Sequence, residues 1–385
     1  MNPDAFVSSA AGQVVKARTG YWTFLPSPLP PKLEWTSGLV RALTNANQAL
    51  ARLAATSMAN VNLRTISRPL VHQEAVMSSR IEGTVATLEE VYTYAALGSN
   101  QHARSSASRE VHNYVRALDY GLERMGSLPI SLRMMRELHR LLLDGVRGEN
   151  MTPGEFRRSQ NWIGPPGSTL AAARYVPPPV EEMHTALGHL EKFIHEESDL
   201  PTLIRVGLIH YQFEAIHPFL DGNGRIGRLI VVLLLVAWEI LPQPSLYLSA
   251  FIEARRQEYY DGLLAVSQRG KWEEWLTFFL EGLTQQSMEA SGRLTALAQL
   301  RGRYVGQIQG ERMGKRLINV VDLLFAQPII SVRQIEAQLG VAFTTAQRYV
   351  ERLEELGIVT ETTGLPRNRL YRANEIIGLV SGVAS

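Results

Sequence analysis

His217, Asp221, Asn223, Arg225 and Arg228 fall within twelve consecutive residues, His-Pro-Phe-Leu-Asp-Gly-Asn-Gly-Arg-Ile-Gly-Arg at 217–228. These side chains supply an imidazole that can take a proton near neutral pH. They add a carboxylate suited to magnesium, an ion that keeps most of its waters and takes one or two protein carboxylates. An amide and two guanidinium forks that match phosphate oxygens complete the set. Gly222 and Gly224 allow close backbone approach and positive φ. Together the residue types suit a di- or triphosphate cradle with a base at its rim. A lone Asp-Gly-Asn-Gly is more often a plain turn, so the inference rests on the joint occurrence.

Two apolar segments must position this loop. Residues 203–213 carry Ile204, Leu208, Ile209 and Tyr211 at helical spacing, and residues 229–238 are apolar on every side. A helix apolar all round is buried, which predicts a polar loop between two core helices. The free N–H groups at the start of the second helix, with its dipole, favour an anion there.

The twelve residues match, without departure, the His-Pro-Phe-x-Asp-Gly-Asn-Gly-Arg-x-x-Arg signature of the Fic family, which the chain therefore resembles. Most Fic enzymes transfer the AMP part of ATP to a protein hydroxyl and release pyrophosphate. The resemblance implies that His217 deprotonates the target hydroxyl and that Asp221 holds Mg²⁺. It implies that Asn223 and the amides of Gly222 and Gly224 bind phosphate oxygens, with Ile226 and Gly227 in the same nucleotide-binding set. Arg225 would meet the β-phosphate and Arg228 the γ-phosphate. Relatives on this fold use other nucleotides, transfer phosphocholine or phosphorylate; glycine at 224 fits AMP transfer best. The alternative from another class is a nucleotide-sensing DNA-binding regulator.

Upstream, Leu70, Val71, Ala75, Val76 and Ile81 predict a helix over about 69–83, stopped by Gly83. A helix C-terminus is a poor place for an acid such as Glu82, and an arginine partner would offset that cost. Ser78-x-x-x-Glu82-Gly83 resembles the inhibitory helix motif of Fic proteins. The resemblance implies that Glu82 pairs with Arg228 and takes the γ-phosphate position, so that ATP binds unproductively. Some Fic proteins with such a glutamate also remove AMP, with the glutamate orienting the attacking water.

The Gly- and Pro-rich stretch 145–179 predicts a loop with a short hairpin over the site. It resembles the Fic flap, which aligns a target protein by β-strand addition, with Ile163 and Gly164 touching the nucleotide. The resemblance places Tyr259 and Tyr260 at the adenine, and departs at Ser267, where relatives often carry Asn. His139 sits among leucines and reads as structural, while His184, His189 and His195 read as rim residues.

The chain has 385 residues, enough for two or three domains. It has no cysteine, which excludes disulfides and cysteine–zinc sites, and a net charge of +2, which implies no partner. The start lacks a secretory pattern, and the longest apolar run is too short to span a bilayer. No membrane association and a cytoplasmic location are therefore expected. The expected fold is mainly α. Residues 1–107 form an N-terminal arm and helices, 108–284 a Fic helical-bundle core with the β-hairpin flap, and 285–314 a linker helix. Residues 315–385 resemble a winged helix-turn-helix. Such a domain would expose Thr344, Thr345, Gln347 and Arg348 to DNA. Between residues 293 and 372 there are twelve basic and seven acidic residues, a mild excess. Protein contact or a homodimer is the other use of such a module.

Overall fold

The computed structural model describes residues 1–58, 63–97, 106–165, 167–310 and 313–382. Flap residue Pro166, residues 59–62 and 98–105 of the N-terminal part, the linker end at 311–312 and the last residues of the C-terminal module, 383–385, lie outside the described residues. Strands β1 (Gly12–Lys16) and β2 (Trp22–Pro26) form an antiparallel hairpin. The proline-rich arm is thus partly sheet, and it packs on the body. The Phe24 amide donates to Val176 O at 2.9 Å and Thr23 Oγ1 to Pro177 O at 2.6 Å.

Helices follow in order: α1 (Ser37–Met58), α2 (Leu63–Ile66), α3 (Arg68–Ile81), α4 (Leu88–Leu97), α5 (Ser106–Arg124) and α6 (Leu132–Leu142). After the flap come α7 (Val180–His195), α8 (Thr202–Ile216), α9 (Asn223–Ala237), α10 (Ser249–Ala254) and α11 (Arg256–Arg269). Helix α12 (Trp272–Ile308) runs unbroken for 37 residues. The expected division between core and linker helix therefore does not exist as a chain break. Alternating apolar positions continue through Leu283, Ala290, Leu294 and Leu297, all buried, and α1 packs along them. Helices α10 and α11 are separated at Arg255, whose φ of −122° and ψ of 37° leave the helical region.

Helices α8 and α9 are the centre. Nearly every residue of both is buried, as uniformly apolar helices must be. Pro201 precedes α8, a position where its fixed φ and missing N–H cost nothing. Helices α3, α5 and α6 pack against α9, and α7, α11 and α12 against α8.

Beyond α12 lie α13 (Gly314–Ala326), β3 (Ile329–Ser331), α14 (Val332–Leu339), α15 (Phe343–Glu355), β4 (Thr360–Glu361), β5 (Leu370–Arg372) and α16 (Asn374–Ser381). The strands form one antiparallel sheet in the order β3-β5-β4. Ser331 caps α14 through a capping box with Gln334. This C-terminal module does not stand apart. Helices α13 and α16 pack on α3, and β3 packs on α4.

Helix α3 is anchored by Glu74, a buried carboxyl. Glu74 accepts from the Ser249 amide at 3.0 Å, the Ser249 hydroxyl at 2.5 Å and the Tyr114 hydroxyl at 3.2 Å. Burial pushes its ionisation upward, while Ser249 pulls it down. Replacing it by Ala strands buried donors, which costs about 1–3 kcal/mol each. Glu74→Ala is expected to lower the urea midpoint correspondingly; a variant with unchanged unfolding would show that α3 is held elsewhere.

Candidate active site

Helix α8 ends at Ile216 because His217 turns left-handed (φ 48°, ψ 61°) and Pro218 cannot continue a helix. Its amide still bonds to Phe213 O at 3.0 Å. The His217 ring places Nδ1 3.3 Å from Glu214 O. Donation there fixes the tautomer and leaves Nε2 as the free base. Burial, and then the nearby Arg157 charge, hold the imidazole down to about 4.

Asn223 ties the loop together. Its Oδ1 accepts from the Phe219 amide at 2.8 Å and its Nδ2 donates to Phe219 O at 2.8 Å. Its side chain is therefore committed to the backbone rather than free for phosphate, which differs from the expectation above. Asp221 Oδ1 accepts from the Gly222 amide at 2.6 Å, and the side chain remains partly exposed. Helix α9 starts with Gly222 as its N-cap in the left-handed region, with no side-chain cap. Its first amides thus lack a side-chain acceptor, the arrangement that binds anions.

Arg225 is fully buried. It meets Glu110 at 3.3 Å and Asp221 at 3.7 Å. The expectation of a phosphate contact for Arg225 meets a side chain already engaged with two acids. Its Nε and Nη2 have no hydrogen-bond partner among the described residues. Glu110 also accepts from Thr84 Oγ1 at 2.6 Å.

Arg228, 2% exposed, is bound along α3. Its Nε donates to Ser78 Oγ at 2.9 Å, and its Nη2 to Ser78 O at 2.9 Å and Glu82 Oε1 at 2.8 Å. Burial works against both charges of this pair. Even so, Glu82 carries Arg228 up, and the charge and hydrogen bond of Arg228 bring Glu82 down. Gly224 makes the approach sterically feasible, since a Cβ there would collide with Glu82 Oε1. Glu82 is the C-cap of α3, and Gly83 (φ 87°) reverses the chain behind it. Two further arginines neutralise that helix end: Arg147 donates to Glu82 O at 3.1 Å, and Arg256 to Ile81 O.

Other expected residues divide. The backbone of Ile163 pairs with that of Tyr175, forming the only bridge of the flap among the described residues, and both Ile163 and Gly164 are exposed. Tyr260 is 37% exposed at the rim, but Tyr259 is buried behind it and bonds to His210 at 2.8 Å. The two rings therefore do not form an open sandwich for a base. Ser267 is buried and bonds to the Tyr211 hydroxyl. Ile226 is in the core, and Gly227 backs onto Glu214, so both can contribute only backbone. Thr344, Thr345, Gln347 and Arg348 lie on α15, outside the site.

His139 is structural, as expected, whereas the support given by Arg157, Asn161 and Glu214 has no mark in the sequence. His139 stacks on Phe219 at 3.8 Å, accepts from the Gly154 amide at 2.9 Å and bonds to Asp221 O at 3.0 Å. Arg157 and Asn161 reach the carbonyl of His217 from the flap. Glu214, beside Gly227, is pushed up to about 8 by burial. Among the described residues no group of three or more His, Asp or Glu could hold a metal ion. One carboxylate is enough for magnesium that shares phosphate oxygens and waters, so Asp221 fits that role.

Residues 40–123 match the sequence model described as Fic/DOC family N-terminal, and residues 129–235 that of the Fic/DOC family. The chain belongs to the Fic/DOC family. Over 203 residues it is 29% identical to "Protein adenylyltransferase Fic" of Drosophila willistoni, covering 51% of this chain and 38% of the relative. The match to the same-named protein of Drosophila grimshawi is 30% identical over 203 residues, 51% of this chain and 39% of the relative. The match thus spans about two fifths of these relatives' length. A Fic family protein from Desulfovibrio desulfuricans G20 has a similar fold, with a TM-score of 0.56, 21% identity, and coverage of 90% of this chain and 98% of that one. Fic-1 (aa134–508) from C. elegans has a TM-score of 0.50 at 21% identity, covering 68% and 74%.

His217, His72 and His139 are all held down to about 4, with burial as the first cause. Between about pH 4 and 6.5 the unfolded chain takes protons that the folded chain refuses, so stability falls as pH drops through that window. Ring NMR of the nucleotide-free protein is expected to give a His217 midpoint near 4; a midpoint at the ordinary value would contradict the site electrostatics.

Proposed function

We propose that the chain is an autoinhibited protein adenylyltransferase that moves AMP from ATP to a Ser, Thr or Tyr hydroxyl of a target protein. The observation that carries this reading is the Glu82–Arg228 contact at 2.8 Å, lying over Gly224 at the uncapped start of α9. The name of the Drosophila relatives supports it. In the reaction the hydroxyl oxygen bonds to the α-phosphorus, and the bond from that phosphorus to the bridging oxygen breaks. Pyrophosphate leaves, and the hydroxyl proton passes to Nε2 of His217. Positioning and charge neutralisation would supply most of the acceleration. Asp221 would hold Mg²⁺, which when bound offsets phosphate charge. The α9 amides would receive phosphate oxygens, and Arg228 would receive the γ-phosphate once Glu82 withdraws. The exposed flap residues on either side of Ile163, Trp162 and Gly164, would align the target.

Inhibition follows from competition for one guanidinium. With Glu82 in place, a γ-phosphate meets a carboxylate instead of a free cation. Breaking such a buried pair leaves Arg228 under-compensated, and a phosphate is the natural replacement.

A second reading, a nucleotide-sensing DNA-binding regulator, draws on residues 315–385 as a winged helix-turn-helix. The packing of this module on α3 and α4 supports such a link, and Thr344 and Arg348 are exposed on α15. Against it, Gln347 on that helix is bonded to Glu351, an acid that DNA would repel.

Label transfer from α-labelled ATP tests the enzyme reading. Glu82→Gly is expected to raise transfer roughly tenfold or more, about 1.4 kcal/mol of relieved competition. His217→Ala should abolish transfer while leaving nucleotide binding intact. A Glu82→Gly protein no more active than wild type, on itself or on lysate proteins, would count against the reading. A gel shift with genomic DNA, without any transfer, would favour the regulator.

A further inference from the structure

Arg157 is 0% exposed, yet none of its hydrogen-bond partners among the described residues is an acid. Its Nε donates to His217 O at 3.1 Å, Nη1 to Ser159 O at 3.3 Å and Nη2 to Pro178 O at 2.5 Å. A buried cation supported only by carbonyl dipoles is costly, and its position is informative. The three carbonyls belong to the catalytic loop and to the flap segments just before and just after the Ile163–Tyr175 bridge. One guanidinium thus draws together the two sides of that bridge and fastens them to the histidine.

The neighbouring bonds point the same way. The Arg157 amide donates to Pro218 O at 2.9 Å. Asn161 Nδ2 donates to His217 O at 3.2 Å and to Phe219 O at 2.8 Å. Three successive carbonyls of the loop, 217 to 219, are therefore held by two flap residues. The His217 carbonyl takes two of these bonds, and His217 has a φ of 48°. A side-chain-bearing residue adopts that conformation at a cost of about 1–2 kcal/mol, and such strain persists only where the surroundings impose it.

Charge adds a second function. The ionised groups that act on the His217 ring are Arg157, Glu82 and Asp221. Both acids favour the protonated imidazolium, and Arg157 opposes it. Withdrawal of Glu82, as catalysis requires, removes one of the two acids and leaves Arg157 in place.

We propose that Arg157 is a positioning residue for His217: from the flap it fixes the left-handed corner that aims the imidazole, and it sets a buried positive charge beside the base. The inference rests on His217 being the base, as proposed above. It also links target alignment to base alignment, since the flap segment that would receive the target lies within a few residues of Asn161.

The test uses the full-length protein in the Glu82→Gly background, with initial rates of AMP transfer followed from pH 4 to 8. Arg157→Gln is expected to lower kcat tenfold or more, with the KM for ATP changed less than about threefold, and to move the acid limb upward toward ordinary histidine. Arg157→Lys, which retains charge but not the fork, should keep the acid limb low while still losing kcat. An Arg157→Gln protein with unchanged kcat and acid limb would overturn the proposal. So would one that loses kcat, KM and thermal stability together with the limb unmoved, which marks a purely structural arginine. Should Arg157→Gln not fold, Asn161→Ala removes the other donor to the same carbonyl and leaves the charge. It is expected to lower kcat without moving the limb, and wild-type behaviour would overturn the positioning role. His217→Ala run in parallel separates the two ideas: persistent transfer removes the base itself, whereas a dead His217→Ala beside an unaffected Arg157→Gln defeats only the inference about Arg157.

Discussion

A guanidinium withdrawn from water must have a counter-charge, and at the heart of this protein that constraint falls on Arg228. It sits on the first turns of a helix with no apolar-free face, so it cannot swing into solvent. Its partners come from α3, some 150 residues upstream: the Ser78 hydroxyl and carbonyl and the Glu82 carboxylate. The glycine at 224, the reversal at Gly83 and the arginines that neutralise the end of α3 all serve that one contact. A polyphosphate carries the same sign of charge as Glu82, so under the proposed function the two would compete for the same cation.

Around that pair the scaffold is arranged in two halves. On one side α3 is pinned by Glu74 and covered by α13 and α16, so Glu82 is attached to the C-terminal module through a single helix. On the other side the flap is pinned to the catalytic loop by Arg157, Asn161 and His139. The loop itself closes on Asn223, which occupies both polar groups of its amide with the Phe219 backbone. The polar residues at 217–228 thus divide into those that hold the loop and those left for a ligand.

Much of this was legible in the amino-acid order. The two core helices follow from unbroken apolar runs, and the α3 terminus from its periodicity and Gly83. The Glu82–Arg228 partnership followed from the resemblance and from the poor fit of an acid at a helix end. What escaped were groups whose partners are backbone carbonyls. Arg157 and Asn161 bond to main chain about sixty residues away, and no spacing rule marks such contacts. The residue types of Asn223 and Arg225 suit a ligand, but type alone does not reveal that a side chain is already engaged by Phe219 or Glu110. The resemblance implies Tyr259 at the adenine, but its burial against His210 and Trp275 is decided by tertiary packing. Helix α12 runs on past the end of the expected core because α1 packs along it, a partner that local apolar spacing does not reveal.

The most direct measurement is a pair of crystal structures with Mg²⁺ and a non-hydrolysable ATP analogue, one of the wild-type chain and one of Glu82→Gly. In the wild type Glu82 should remain on Arg228, with the γ-phosphate displaced from it. In the variant the triphosphate should lie along the start of α9, with a γ-phosphate oxygen on Arg228. Identical nucleotide poses in the two, or density away from residues 217–228, would contradict it.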